Sequence, residues 1–283
     1  MHSISCIIVS YNKAKFLKQA IMSVVNQTVP VAEIIVADDG SIDGSREIIS
    51  SLANEYCQIK PVFREKNLGV GTNRDLAIRA AEGDLITPLD GDDWYYPQKI
   101  EKEFLALQGY SNAIAYSDIQ VVNQKDEPII YLHTSELSNL SKKQRLQWIA
   151  HIHHPTPRDM LVPKKLYLEA GGIRHGDNLY EDWDLQIRLA AYSTQWIHSG
   201  IVGISYRLTD CGLSKTNSSR IHLQAKHKVL MSNRKLLTAY IGGQSFWLAI
   251  AKVYIGAVRS KLAIRSNLRK LRLMLSQGKI TSH

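Results

Sequence analysis

The sequence predicts an α/β fold with a mainly parallel central sheet flanked by helices, followed by a helical, basic C-terminal extension. Three observations lead there. Short β-branched runs alternate with helix-length patterns through the first hundred residues, the runs end in polar turns, and every acidic residue lies before position 211. With 283 residues, 45% of them hydrophobic, the chain can bury one large core, or one core and a smaller appendage. A disordered or fibrous chain is excluded.

Strands are expected at about Ile4–Ser10, Glu33–Asp38, Ile59–Arg64 and Leu85–Leu89. Helices are expected between them at about Ala14–Val25, Ser45–Tyr56 and Thr72–Ala81, each bounded by Asn, Gly, Ser or Pro. This βα alternation reads as a Rossmann-like half. Further on, strands are expected near Ala113–Asp118, Met160–Val162 and Gly203–Leu208, with a helix at Glu181–Tyr192. From about Leu213 the pattern is helical throughout, and no internal repeat or low-complexity segment occurs.

Charge divides the chain unevenly. Residues 1–210 carry 21 Lys and Arg against 26 Asp and Glu, whereas residues 211–283 carry 14 against none. The body and the extension are therefore expected to meet different partners, with an anionic membrane surface and nucleic acid as candidates for the extension. Leu262, Ile264, Leu268, Leu271 and Leu275 recur at roughly helical spacing beside Lys261, Arg265, Arg269, Lys270 and Arg272, an amphipathic cationic pattern. Such a helix either lies in a membrane interface or packs on the body or on a second copy. The three cysteines, Cys6, Cys57 and Cys211, are too few and too widely spaced for a disulfide framework or a thiolate zinc site. With no leader-like start and no apolar run long enough to span a bilayer, a cytoplasmic protein is expected, peripheral on the membrane if the extension binds it.

In an open α/β sheet, ligands bind outside the carboxyl ends of the strands, so the residues that follow each run carry the functional information. Here they are Ser10-Tyr11-Asn12, Asp38-Asp39-Gly40-Ser41, the loop Asn67 to Arg74, and Asp90-Gly91-Asp92-Asp93-Trp94. Three carboxylates within four positions repel one another unless cations neutralise them. Oxygen ligands of this kind suit Mg2+ or Mn2+ bound together with substrate phosphates, while an Asx turn capping the helix near Pro97 is the plainer alternative. His151, His153 and His154 are more economically surface or pocket-lining groups than metal ligands.

The ordered series Val9-Ser10-Tyr11-Asn12, Asp38-Asp39-Gly40-Ser41, Asn67-Leu68-Gly69, Asp90-Gly91-Asp92-Asp93, Gly171-Gly172 and Glu181-Asp182-Trp183 resembles the family 2 glycosyltransferases of GT-A fold over roughly residues 3–210. The resemblance implies an inverting hexosyltransferase that uses a nucleotide-diphosphate sugar, UDP-linked by preference, and Mn2+ or Mg2+. It divides the chain into a catalytic domain at 1–212, with a nucleotide-binding half at about 1–95 and an acceptor half at about 96–212, and the helical region 213–283.

By the same resemblance, Tyr11 stacks on the base and Asp39 hydrogen-bonds it, with Asn12 and Arg74 assisting. Asp90 lies near ribose or metal, and Asp92 binds the metal as the second acid of an Asp-x-Asp motif. Asp182 is the general base, Glu181 orients the acceptor, and Trp183 is assigned beside it, although its spacing with Ile187 and Ala190 also lets it pack inward. Without the family pattern, Glu181 and Asp182 read as acids complementing a helix dipole. Arg207 is expected to face phosphate. Many relatives carry His shortly after Tyr-Arg, where this chain has Thr209; Asp210 is the candidate substitute ligand, and Gly212 and Ser214 leave that loop able to move.

The implied acceptor is a saccharide or lipid-linked saccharide of cell-surface polysaccharide or oligosaccharide assembly, and a homodimer stays open. A dinucleotide-dependent oxidoreductase is disfavoured because Ser10-Tyr11-Asn12 stands where Gly-x-Gly-x-x-Gly is needed. Nucleic acid is disfavoured because no binding module accompanies the basic extension. A noncatalytic sugar-nucleotide binder or membrane-associated assembly subunit is the remaining alternative; it would not need Asp182.

Overall fold

Strand β1 (Ile4–Ser10) is buried along its whole length, as a continuous apolar run at the centre of a parallel sheet must be. Its alternate residues serve two cores. Ile4, Cys6 and Ile8 meet Leu17, Ala20, Ile21 and Val24 of helix α1 (Ala14–Val25) and Ile49 and Leu52 of α2 (Ser45–Glu55). Ile7 and Val9 belong with Ala77 and Ile78 of α3 (Val70–Ala80). The period of two in the strand and of 3.6 in the helices is what makes this sandwich.

The computed structural model describes residues 2–151, 156–176, 179–209 and 218–257. The first sheet runs β3 (Ile59–Phe63), β2 (Glu33–Asp38), β1, β4 (Leu85–Asp90), β8 (Val162–Pro163), parallel except for β8. A second, mixed sheet runs β5 (Trp94–Tyr95), β9 (Trp196–Arg207), β6 (Ile114–Val122), β7 (Pro128–Leu132), and an isolated bridge from Ala115 to Leu161 joins the two. The strand expected at Gly203–Leu208 begins as early as Trp196, and β7, an exposed edge, adds a strand. Helices α4 (Lys99–Ala106), α5 (Lys142–Ala150), α6 (Lys164–Glu169) and α7 (Glu181–Tyr192) complete the body.

In the C-terminal region, α8 (Ser219–Ser232), α9 (Arg234–Ile241) and α10 (243–257) follow. Leu230, Leu237, Phe246, Ala249 and Ile250 are buried in the same core as α5 and α7, so these helices extend the body rather than stand apart. Asn233, between α8 and α9, donates to Asp184 Oδ1 on α7 at 2.6 Å, while Arg174 and Arg188 hold the same carboxylate at 2.6 and 2.7 Å. The amphipathic segment around Leu262–Leu275 lies outside the described residues.

Candidate functional site

The carboxyl ends of β1, β2 and β4 open on one side, and hydrogen bonds between their loops set the floor of the site. Asp38 accepts from the Ser41 backbone N–H at 2.9 Å and from Arg46 Nε at 3.1 Å, which closes the turn after β2. Gly40 turns left-handed there, at φ +84°, and a Cβ would stand 3.1 Å from the Asn67 nitrogen, so only glycine lets the third loop approach. Asp39 is buried and its two oxygens accept from Leu68 and Gly69 N–H at 2.8 and 2.9 Å, tying the second loop to the third. Asn12 donates its N–H to Ser41 Oγ at 2.8 Å and accepts from Ile42 N–H at 3.0 Å, tying the first loop to the second. Tyr11 stands on this floor with 46% of its surface exposed.

The carboxylate cluster after β4 is met by cations from the protein itself. Arg74 of α3 is bonded to Asp90 Oδ1, and Arg158 Nη2 holds Asp90 Oδ2 at 2.7 Å. Lys13, just before α1, is bonded to Asp92 Oδ2. Burial pushes the Asp90 pKa up, but the two guanidiniums outweigh it and hold this carboxyl below the ordinary range. Asp93 goes the other way: burial, and then the neighbouring Asp90 and Asp92 charges, push it well above, against the opposing pull of Arg158. Its Oδ1 accepts the Arg207 backbone N–H at 2.7 Å. Asp159 sits in left-handed backbone at φ 48°, and burial pushes its pKa up to about 6.

Opposite this cluster, α7 begins after Tyr180, which adopts left-handed backbone at φ 63°. Non-glycine residues in that region are sparse and concentrate where a function fixes the backbone. Glu181 turns inward, 3.5 Å from Arg74 Nη1, and burial, followed by repulsion from Asp182, pushes its pKa up to about 7. Asp182 is exposed, and its Oδ1 accepts the Trp183 backbone N–H at 2.7 Å.

The structure thus brings Arg74, Asp90 and Glu181 into direct contact, with Asp92 beside them on the same loop and Asp182 beside Glu181. Two of the expected site residues are buried. Trp183 has its indole N–H donating to the Ile149 carbonyl at 2.8 Å, because one helical step carries it towards α5. Arg207 is held by protein groups. Its guanidinium is bonded to Asp126, to the Asp92 carbonyl at 2.8 Å and to Gln19 at 2.7 Å, and it stacks on Phe16 and Trp94 at 4.2 and 4.8 Å. Arg207 is therefore a clamp that fixes the Asp92 backbone from below.

Lys13 and Arg158 were not expected from the sequence. A lysine directly after Tyr11-Asn12 and an Arg-Asp pair just ahead of β8 were the signals available. Asp210, Gly212, Ser214, His153 and His154 lie outside the described residues, whereas His151 is drawn to α10, its Nε2 lying 3.3 Å from the Ser245 carbonyl. Among the described residues, no group of three or more His, Cys, Asp or Glu side chains is arranged to hold a metal ion.

The family described as Glycosyl transferase family 2 matches residues 5–167, more than half of the chain. A cholesterol galactosyltransferase of Borreliella burgdorferi is 27% identical over 249 residues, covering 83% of this chain and 67% of that protein. A putative teichuronic acid biosynthesis glycosyltransferase, TuaG of Bacillus subtilis, is 30% identical over 134 residues, covering 47% of this chain and 53% of that one. Among solved structures, S. aureus TarS 1-349 in complex with UDP-GlcNAc superposes with a TM-score of 0.65 at 15% identity, covering 81% of this chain and 66% of that one. The chain spans about two thirds of the galactosyltransferase and of the TarS fragment and about half of TuaG.

Proposed function

This chain belongs to glycosyl transferase family 2 and has the GT-A fold, and from that premise we propose that it transfers a hexose, with inversion, from a nucleotide-diphosphate sugar to an acceptor hydroxyl. The observation that carries this reading is the meeting, at the open ends of β1, β2 and β4, of an exposed aromatic, a carboxylate cluster and three protein cations, faced by the two acids that start α7. Such a rim suits a ligand with a flat base at one end and a diphosphate at the other.

Tyr11 stacks on the base. Asp39 uses its remaining lone pairs for a base N–H while its present bonds keep the loops in place. Asn12 serves the nucleotide through the loop it braces. UDP is the favoured nucleotide, supported by the UDP-GlcNAc complex of the structural neighbour TarS. The diphosphate carries the charge that grows as the sugar leaves, and Lys13, Arg74 and Arg158 supply positive charge where it develops.

A divalent cation, Mn2+ or Mg2+, fits at Asp92. Arginines occupy both Asp90 oxygens, so Asp92 is the carboxylate that would hold the ion together with the donor's phosphates. When bound, the ion supplies Lewis-acid stabilisation of the leaving diphosphate.

Asp182 is the general base. It is exposed to an acceptor arriving from solvent, whereas Glu181 is held inward by Arg74 and keeps its proton up to about pH 7. Asp182 takes the hydroxyl proton as the oxygen attacks the anomeric carbon opposite the departing diphosphate, which inverts configuration. Glu181, protonated, donates a hydrogen bond that orients the acceptor. The relative named for teichuronic acid biosynthesis supports a saccharide acceptor in cell-surface assembly, and the one named for cholesterol galactosylation supports an acceptor hydroxyl on a lipid. The test is Asp182→Asn: nucleotide binding is expected to survive and transfer to fall by orders of magnitude. Full transfer activity in that variant would remove Asp182 from the mechanism.

A further inference from the structure

Helix α10 (243–257) has two apolar faces, and the body uses only one. Phe246, Ala249, Ile250 and Val253, spaced i, i+3, i+4, i+7, pack into the core. Trp247, Leu248, Ala251, Tyr254 and Ile255 form a second stripe at i, i+1, i+4, i+7, i+8, and it points outward. Trp247 is 52% exposed, Leu248 50%, Tyr254 44% and Ile255 50%, and no charged residue interrupts the stripe. Arg234 lies over the Trp247 ring at 5.6 Å, and Lys142 over the ring of exposed Tyr240 at 5.8 Å, so cations flank the aromatics.

Charge decides what covers this stripe. Residues 211–283 hold 14 Lys and Arg and no acid. A second copy docked two-fold symmetrically would set these acid-free helices against themselves. An anionic bilayer supplies both what the stripe and its surroundings need, negative headgroups for the cations and an apolar boundary for Trp247, Leu248 and Ile255, with Trp and Tyr at the headgroup level they prefer. No described helix is long and apolar enough to cross a membrane, so contact through α10 lies in the interface. We propose that the outward face of α10 seats the protein on an anionic membrane surface. The inference deepens the reading of a lipid-linked acceptor but stands on the surface alone.

The test is co-sedimentation of the full chain with phosphatidylcholine vesicles, with and without phosphatidylglycerol. The expected result is binding to the anionic vesicles alone, weakened by salt, and reduced roughly tenfold or more in Trp247→Ser/Ile255→Ser, since both substitutions remove apolar surface that the bilayer would bury. Brominated lipids should quench part of the tryptophan fluorescence, and Trp247→Phe should lose that part while still binding. Both variants replace exposed side chains, and an unchanged circular dichroism spectrum and unchanged stabilisation by UDP check that fold and site are intact. Equal sedimentation of the double variant overturns the proposal. So does failure of the full chain to bind, whether residues 258–283 or a second copy cover the face; a sedimentation velocity that drops in the variant identifies the second copy. Because UDP binding is read separately, loss of membrane binding and failure of the transferase reading are distinguishable.

Discussion

Replacing Glu181 with Gln isolates one proton in the site. Burial and the Asp182 charge move this carboxyl from 4.5 to about 7, and its side chain is only 11% exposed. The folded chain therefore keeps a proton that the unfolded chain releases as pH rises past 4.5, and stability falls through the window from there to about 7. At about 1.4 kcal/mol per pH unit, the loss is of order 3 kcal/mol. Gln imitates the protonated carboxyl and cannot ionise. Urea denaturation at intervals from pH 5 to 8 should give similar stabilities for the two proteins at the acid end, and a variant more stable by up to about 3 kcal/mol at the alkaline end. Asp159, pushed up to about 6, and Asp93 act in both proteins and cancel in the difference. Parallel profiles, or a variant that loses stability relative to the unsubstituted protein as pH rises, would show that Glu181 is ionised in its pocket, and the division of labour with Asp182 would fall with it.

Two further substitutions probe the surroundings of the site. Lys13→Met removes the cation that sits on Asp92; Mn2+ alone should then bind roughly tenfold more tightly by calorimetry, while stability falls by only about 1 kcal/mol because the ion pair is partly exposed. Unchanged Mn2+ affinity would mean that Lys13 and the metal do not share Asp92. Asn233→Ala removes a buried donor to Asp184 of α7 and should cost about 1–3 kcal/mol in thermal unfolding; no change in Tm would separate the C-terminal helices from the support of α7.

The frame of the protein was legible because its signals are local. The runs of β1 to β4 are unbroken and end in turn residues, and α1 to α3 fill the spaces between them. The edge strand β7 was hidden because its exposed Pro128–Leu132 has no buried alternation to betray it. The first half of β9 was hidden because Ser199-Gly200 interrupts the run and its pairing with β6 shifts register there.

In the site, the acids were visible and their partners were not. The crowding of Asp90, Asp92 and Asp93 pointed to a divalent cation, whereas the cations that meet them here, Lys13 and Arg158, come from 79 and 68 positions away, through loops without periodicity. The partners of Arg207 were hidden for the same reason: one of them, Gln19, is 188 residues distant. Trp183 shows the reverse case, where helical spacing with Ile187 already indicated the buried role that the family position obscured.

Whether this rim binds the diphosphate of a nucleotide-sugar donor is read by thermal unfolding of the full chain with UDP, GDP, dTDP or NAD, each with and without Mn2+. One nucleoside diphosphate, UDP first, should raise Tm, and more strongly with Mn2+. A rise with NAD and none with any diphosphate, or no rise with any of them, would contradict it.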